Sequence, residues 1–431
     1  MAATDRRAVL TGVGVLSPVG SDRASFWQSL LEGRSGIRAI TALDTSALPV
    51  RIGGEIPDFS AKKYLLEKNQ RKALGMMSRP IELGVAAAAL ALRDAGVGPG
   101  TLDPTRFGVE FGAGMLATEL DDLVRAAKVS TAPDPGAVSL PVWGGEGMKE
   151  IPPKWMLKYL PNMPACHTSI LFDAQGPNNT ITSSEVASLL AFGEAYRIVG
   201  RGLADFMLVG GTESKMNPLS LVRHALFQKL SRRNDAPEKA LRPFDRKRDG
   251  TVLGEAAAVF GLEELGHARR RGARVLAEVV GFASGFDRGR KGGVLARVIR
   301  RALADAGIGP GDVDHVNAHG SATVEGDAFE ARAVAEVFGG VRPAVPVFAG
   351  KSYVGNTGAA AGVVELLASV QALAEGKLPG TLNHEDPDPA CPVAVHTGAP
   401  RPVAKPYALK IGFTDLGQCA ALVVRRWDGD S

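Results

Sequence analysis

The sequence predicts an α/β protein of stacked sheet and helix layers, arranged as two halves on one plan. Strand-like apolar runs alternate with helical stretches along the whole chain, the pattern of layered α/β folds. A near repeat links the halves: residues 91–103 read ALRDAGVGPGTLD and residues 302–314 read ALADAGIGPGDVD. Each is an alanine-rich helix end, a glycine stop and a turn, so duplication is preferred over a chance match of two helix C-termini. Each copy runs into a short apolar segment, RFGVEFGAG in the first half and HVNAHGSA in the second. Helices such as IELGVAAAALALRDAG, from Ile81 to Gly96, carry the small side chains that let a helix lie close to a sheet.

Taken in order, AVLTGVGVL predicts a first strand and Ala24 to Leu31 a helix; FMLVGG predicts a strand, followed by a mixed helical pattern from Leu219 to Leu230. In the second half RVLAEVVGFA precedes a helix over Leu295 to Ala306, and PVFAG precedes one over Ala360 to Ala374. The halves divide as 1–254 and 255–431. A segment at about 115–165, containing PPKWMLKYLPNMPA, has no counterpart in the second half and reads as an irregular cap.

With 431 residues, 45% hydrophobic and 22% charged, the chain has the composition of an ordinary globular protein large enough for two core-bearing halves. The net charge of +4 is modest; the clusters Arg232-Arg233 and Arg269-Arg270-Arg271 could meet an acidic partner, but a solvated helix face is the preferred reading. The three cysteines, Cys166, Cys391 and Cys419, follow neither disulfide nor metal-ligand spacing, so no metal or cofactor is expected. A reducing cytoplasm fits best. The N-terminal stretch lacks a signal-peptide core, and no run approaches about 18 uninterrupted apolar residues, so neither secretion nor a membrane span is expected. The string GVGVLSPVG lacks the context of a dinucleotide site and reads as a turn.

The run GPNNTITSSEVASLLAFGEA, residues 176–195, resembles the nucleophile segment of the β-ketoacyl synthases, members of the thiolase superfamily that condense acyl thioesters. The resemblance covers nearly the whole chain, through LTGVGVLSPVG, FWQSLLEGRSGI, RPFDRKRDGTVLGE, AHGSATVEGDAFE and GKSYVGNTGAAAGVVE. It implies a thiolase-like duplicated fold of five layers, α/β/α/β/α, with a dimer contact in the cap. It also implies acyl carrier protein as partner, and a ketosynthase partner or a second copy in a dimer.

The resemblance places Glu185 where the family has its nucleophilic cysteine. A thiol takes an acyl group in an exchange of near-equal energies, whereas a carboxylate would give a mixed anhydride that hydrolyses quickly. His319 matches the first catalytic histidine, whose role is to hydrogen-bond the malonyl thioester carbonyl. Lys351 matches the family lysine, and a closed ion pair with Glu185 stands beside a catalytic role for it. Asn356 replaces the second histidine and can donate a hydrogen bond but cannot take up a proton. Ser321 and Thr323 would line the pantetheine path. In FTDLGQCAA, Asp415 stands for the gating phenylalanine and Leu416 for a glycine, which puts the oxyanion hole in question. Cys166 and Cys419 read as packing residues.

Three functions follow, in order of preference: an auxiliary subunit similar to the chain-length factors that accompany an active ketosynthase; an enzyme of altered chemistry, a malonyl-thioester decarboxylase or hydrolase using Glu185 and His319; and an acyl-chain-binding homodimeric scaffold.

Overall fold

A computed structural model describes residues 6–115, 118–132, 136–289 and 293–429. The strands of its main sheet are β1 (Ala8–Leu16), β2 (Phe107–Ala113), β3 (Asn178–Ile181), β4 (Phe206–Ser214), β5 (Glu255–Glu264), β6 (Ala277–Phe286), β7 (Val313–Asn317), β8 (Pro346–Phe348), β9 (Ala394–Val395), β10 (Tyr407–Phe413) and β11 (Gln418–Arg426). The helices used below are α1 (Arg23–Leu31), α2 (Arg79–Asp94), α3 (Met163–Phe172), α4 (Ala187–Gly200), α5 (Pro218–Phe227), α6 (Gly293–Asp305), α7 (Val324–Phe338) and α8 (Ala361–Glu375).

The strands form one eleven-stranded mixed sheet in the order β9-β8-β7-β10-β11-β6-β1-β5-β4-β2-β3. Its two sides repeat one topology. In the first, β2 pairs in parallel with β3 and β4, and β5 lies antiparallel between β4 and β1. In the second, β7 pairs in parallel with β8 and β10, and β11 lies antiparallel between β10 and β6. The half-sheets touch where β1 meets β6 over Ala8–Leu10. The division expected after residue 254 falls immediately before β5, whose hydrogen bonds join it to β1 and β4.

The repeated sequence marks equivalent places in this duplication. α2 ends at Asp94 with Gly96 at φ +66°, and α6 ends at Asp305 with Gly307 at φ +68°. A left-handed residue at that position terminates a helix at least cost when it is glycine. Short turns at Pro104–Arg106 and Pro310–Asp312 then lead into β2 and β7, the strands at matching positions of the two half-sheets.

Helices complete the five layers. α2 covers the outer face of β1, β5 and β4, while α6 covers β6 and β11 with α7 beside it. α4 and α8 lie between, each touching strands of both halves. That explains why α8 has no polar face: its residues from Ala361 to Leu373 are all buried. The segment Gly358–Glu375 is apolar enough to cross a membrane by composition, but 89% of it is buried inside this fold. The thiolase-like α/β/α/β/α architecture is therefore present.

The cap joins β2 to α3. Within it, residues 116–117 and 133–135 lie outside the described residues, and the rest holds a helix at Leu120–Val129 and short turns. Leu120, Val124, Leu140, Met148 and Met156 are exposed there.

One buried group in β2 sets a pH dependence. Glu110 is fully buried, and neither carboxylate oxygen has a hydrogen-bond partner among the described residues. Burial, with Glu194 nearby, pushes its carboxyl up to about 8. A carboxyl raised in the folded state favours folding while protonated, and that contribution is lost as pH rises from the unfolded value through about 8. Thermal unfolding should show Glu110→Gln gaining about 3 °C on the parent at pH 8.5, with a much smaller difference at pH 5.

Candidate functional site

The site forms where the parallel strands of both halves end at their carboxyl termini, the usual place for ligands in open α/β sheets. From the first half come Ser183–Glu185 after β3 and Glu213–Lys215 at the end of β4. The second half supplies His319 after β7, Lys351 and Asn356 after β8, and Asp415 after β10.

Glu185 sits in the single turn Ser184–Val186 that opens α4. Ser184 holds φ +46°, a left-handed backbone that costs energy in a non-glycine residue and turns the next side chain into the site. Oε1 of Glu185 receives hydrogen bonds from Lys215 Nζ at 3.5 Å and Asn356 Nδ2 at 3.3 Å. Burial alone would raise this carboxyl, but the charge of Lys215, a backbone N–H, the Asn356 amide and, more distantly, Lys351 outweigh it and hold it below the ordinary carboxylate value. Glu185 is therefore ionised at neutral pH. The Asn356 amide is fixed in this sense because its Oδ1 accepts from the Gly358 N–H at 3.1 Å.

Lys351 does not form the ion pair with Glu185 that the sequence left open beside a catalytic role. Its Nζ donates to Glu365 Oε1 at 2.7 Å, from the first turns of α8, and to His319 Nδ1 at 3.3 Å. The other oxygen of Glu365 accepts from Lys410 in β10. One carboxylate thus lies between two fully buried lysines, and the nearer acid wins Lys351. The cation of Glu185 is Lys215, which the sequence reading missed; the charged run ESK closing an apolar strand is the signal that would have found it. Lys410, a charge inside the apolar strand YALKIGF, gave a similar signal.

His319 is held from several directions. Glu330 of α7 accepts from the N–H of His319 at 2.5 Å and of Gly320 at 2.8 Å. Asp327 accepts from the N–H groups of Phe244 at 2.6 Å and Ala322 at 3.0 Å. That ties RPFDRKRDG to the AHGSA turn, in which Gly320 and Ala322 have φ +53° and +60°. The ring lies 4.5 Å from that of Phe413. Burial, then Lys351, Lys410 and Lys215, keep the imidazole well below its ordinary pKa, hence neutral. Since Lys351 donates to Nδ1, the ring proton belongs on Nε2.

Two cavities meet at Glu185. The smaller, about 40 Å³, is lined by His319, Ser321, Thr323, Asn356, Phe413 and Asp415 with Glu185, room for a few water molecules. Six of the seven residues read from the sequence thus converge on one small cavity, and Lys351 stands behind His319. Ser321 and Thr323 also bond to each other at 2.8 Å, and Thr323 caps α7. The larger cavity, about 590 Å³, extends from the other side of Glu185 past Glu213, Lys215, His224, Phe286 and Gln418. Burial pushes Glu213 up against the pull of Lys215, so the two carboxylates flanking this lysine are driven apart in acidity.

No cysteine lines either cavity. Cys419 is buried in β11 with its Sγ toward the Gly285 carbonyl at 3.4 Å, and burial raises its thiol to about 12. Leu416 is not among the residues at positive φ, so the place expected to need glycine does not; Gly417 does, at φ +104° with Asp287 packed against it.

A duplicated thiolase-like fold with a buried histidine and lysine at the ends of its parallel strands points to the class of the ketosynthases. Residues 5–268 match the family described as Beta-ketoacyl synthase, N-terminal domain, and residues 276–385 match Beta-ketoacyl synthase, C-terminal domain. The chain belongs to the β-ketoacyl synthase family. It is 34% identical over 428 residues, 98% of each chain, to the 3-oxoacyl-[acyl-carrier-protein] synthase 2 of Synechocystis sp.. Among solved structures it resembles a β-ketoacyl synthase from Burkholderia phymatum, with a TM-score of 0.86, 29% identity, and 98% and 100% of the two chains covered. It also resembles the ishigamide ketosynthase/chain length factor, with a TM-score of 0.84, 27% identity, and 98% and 99% covered.

The Glu185–Lys215 pair should behave as a buried unit. Lys215→Met is expected to destabilise the fold at neutral pH by about 3 kcal/mol, because it strands an ionised carboxylate. Adding Glu185→Gln should recover most of that loss. Urea unfolding of the two single variants and the double variant measures the coupling.

Proposed function

We propose that this chain is a non-condensing member of its family, an auxiliary subunit of the chain-length-factor kind that works beside a cysteine-bearing ketosynthase. The observation that carries this reading is the state of Glu185. By the resemblance it stands where the family has its nucleophile; it is held ionised by Lys215 and Asn356, and no cysteine lines the two cavities that meet at it. A carboxylate so held has little reason to attack a thioester, and the anhydride it would form does not store an acyl group. The exposed apolar side chains of the cap, Leu120, Val124, Leu140 and Met148, suit a partner surface. The partners implied are acyl carrier protein and either a ketosynthase or a second copy, acting in fatty-acid or polyketide synthesis in the cytoplasm. The halves are taken as 1–254 and 255–431.

One observation favours a second reading, a malonyl-thioester decarboxylase. His319 is neutral, backed by Lys351 and fixed by Glu330, and so is prepared to donate from Nε2 to a thioester carbonyl as negative charge develops there. In that reading Asn356 supplies a further donor and Asp415, Ser321 and Thr323 border the approach.

Mass spectrometry of malonyl-loaded and acyl-loaded carrier protein separates the two. The auxiliary reading predicts no turnover by this chain alone, and condensation product once a ketosynthase with its own cysteine is added. Loss of carbon dioxide from the carrier-bound malonyl group by this chain alone, reduced at least about 100-fold in Glu185→Ala and in His319→Ala, would overturn it in favour of the decarboxylase.

A further inference from the structure

We infer that the larger cavity receives an acyl group bearing hydroxyl substituents rather than a saturated alkyl chain. This rests on the reading that thioester-borne acyl groups reach the neighbourhood of Glu185, and adds to it the chemistry of the group. A volume of about 590 Å³ is that of a cavity for one small ligand. Its floor is polar: Glu185, Glu213, Lys215 and His224 line it, all largely buried, with Thr182, Ser183, Thr414 and Gln418 around them.

Buried acceptors stand on this floor beside the donors of Lys215 and the hydroxyls. His224 Nδ1 lies 2.6 Å from the Ser220 carbonyl and so carries the proton there. Burial and the charge of Lys215 lower its pKa to about 4, which leaves Nε2 a neutral acceptor. Gln228, on the wall between the two cavities, has a buried Oε1 with no hydrogen-bond partner among the described residues. Lys215 is the buried ammonium among the described residues of this floor, two carboxylates share its field, and Arg223 adds an exposed guanidinium at the edge.

A saturated chain would displace water from each of these groups and return nothing to them. A hydroxyl donates to His224 Nε2 or Gln228 Oε1 while accepting from Lys215. Met115, Phe227, Phe286 and Leu416 form an apolar rim, which suits the carbon skeleton between hydroxyls.

The test uses pantetheine amides, which neither hydrolyse nor decarboxylate, so it does not depend on whether the chain is auxiliary or catalytic. Titration calorimetry of the purified full-length protein with octanoyl-pantetheine amide and its 3,5-dihydroxyoctanoyl counterpart should give at least about tenfold tighter binding for the dihydroxy compound. His224→Leu and, separately, Gln228→Leu should each shrink that preference, with circular dichroism confirming the folded state. Equal or tighter binding of the octanoyl compound, or no binding of either at millimolar ligand, would overturn the inference. Failure of the carrier-protein assay with the tenfold preference intact would instead count against the auxiliary and decarboxylase readings.

Discussion

The site depends on how deeply the start of α4 sinks between the two half-sheets. That descent is possible because side chains are missing where the backbones meet. A Cβ on Gly112 of β2 would lie 2.3 Å from the Ser188 nitrogen, and one on Gly362 of α8 would lie 2.6 Å from Leu189. Such contacts fall far inside van der Waals distance, so any larger residue would push α4 away from the strand ends. With α4 seated, its first turn brings Glu185 from the first half within hydrogen-bond reach of Asn356 from the second. The duplicated fold thus creates one site from two halves, and neither half contains it alone.

Charge balance explains the remaining geometry. The second half buries Lys351, Lys410 and Glu365 together, and the carboxylate between the two lysines makes their desolvation tolerable. That arrangement commits Lys351 to Glu365 and His319. Glu185 then needs another cation in a buried setting, and Lys215 supplies it. The structure therefore contains two nearly closed electrostatic units side by side. One orients a neutral histidine as donor, and the other holds a carboxylate ionised. The first is suited to stabilising developing negative charge, whereas the second is poorly suited to nucleophilic attack.

Much of this was legible in the sequence, for physical reasons that differ residue by residue. The repeated helix ends at Asp94 and Asp305 could be read because helix termination is local and needs glycine at left-handed angles. His319, Asn356 and Glu185 were located by the resemblance of their runs to the family's motifs, and each follows a strand end or opens a helix, where a side chain reaches the crevice of an α/β sheet. The partner of Lys351 could not be read, since the choice between Glu185 and Glu365 is decided by where α8 packs. Lys215 and Glu213 were passed over as the end of a strand, although a charge there lies beside the same crevice. Nor could the polarity of the larger cavity be read, because its lining is gathered from six separate stretches of chain.

The central claim is that Glu185 occupies the nucleophile's place without acting as one. Intact-protein mass spectrometry after incubation with an excess of acyl-loaded carrier protein addresses it most directly. The account predicts an unchanged mass for this chain at every time sampled, with the acyl group still on the carrier. A stable added acyl mass mapping to Glu185, or to any of the three cysteines, would contradict it.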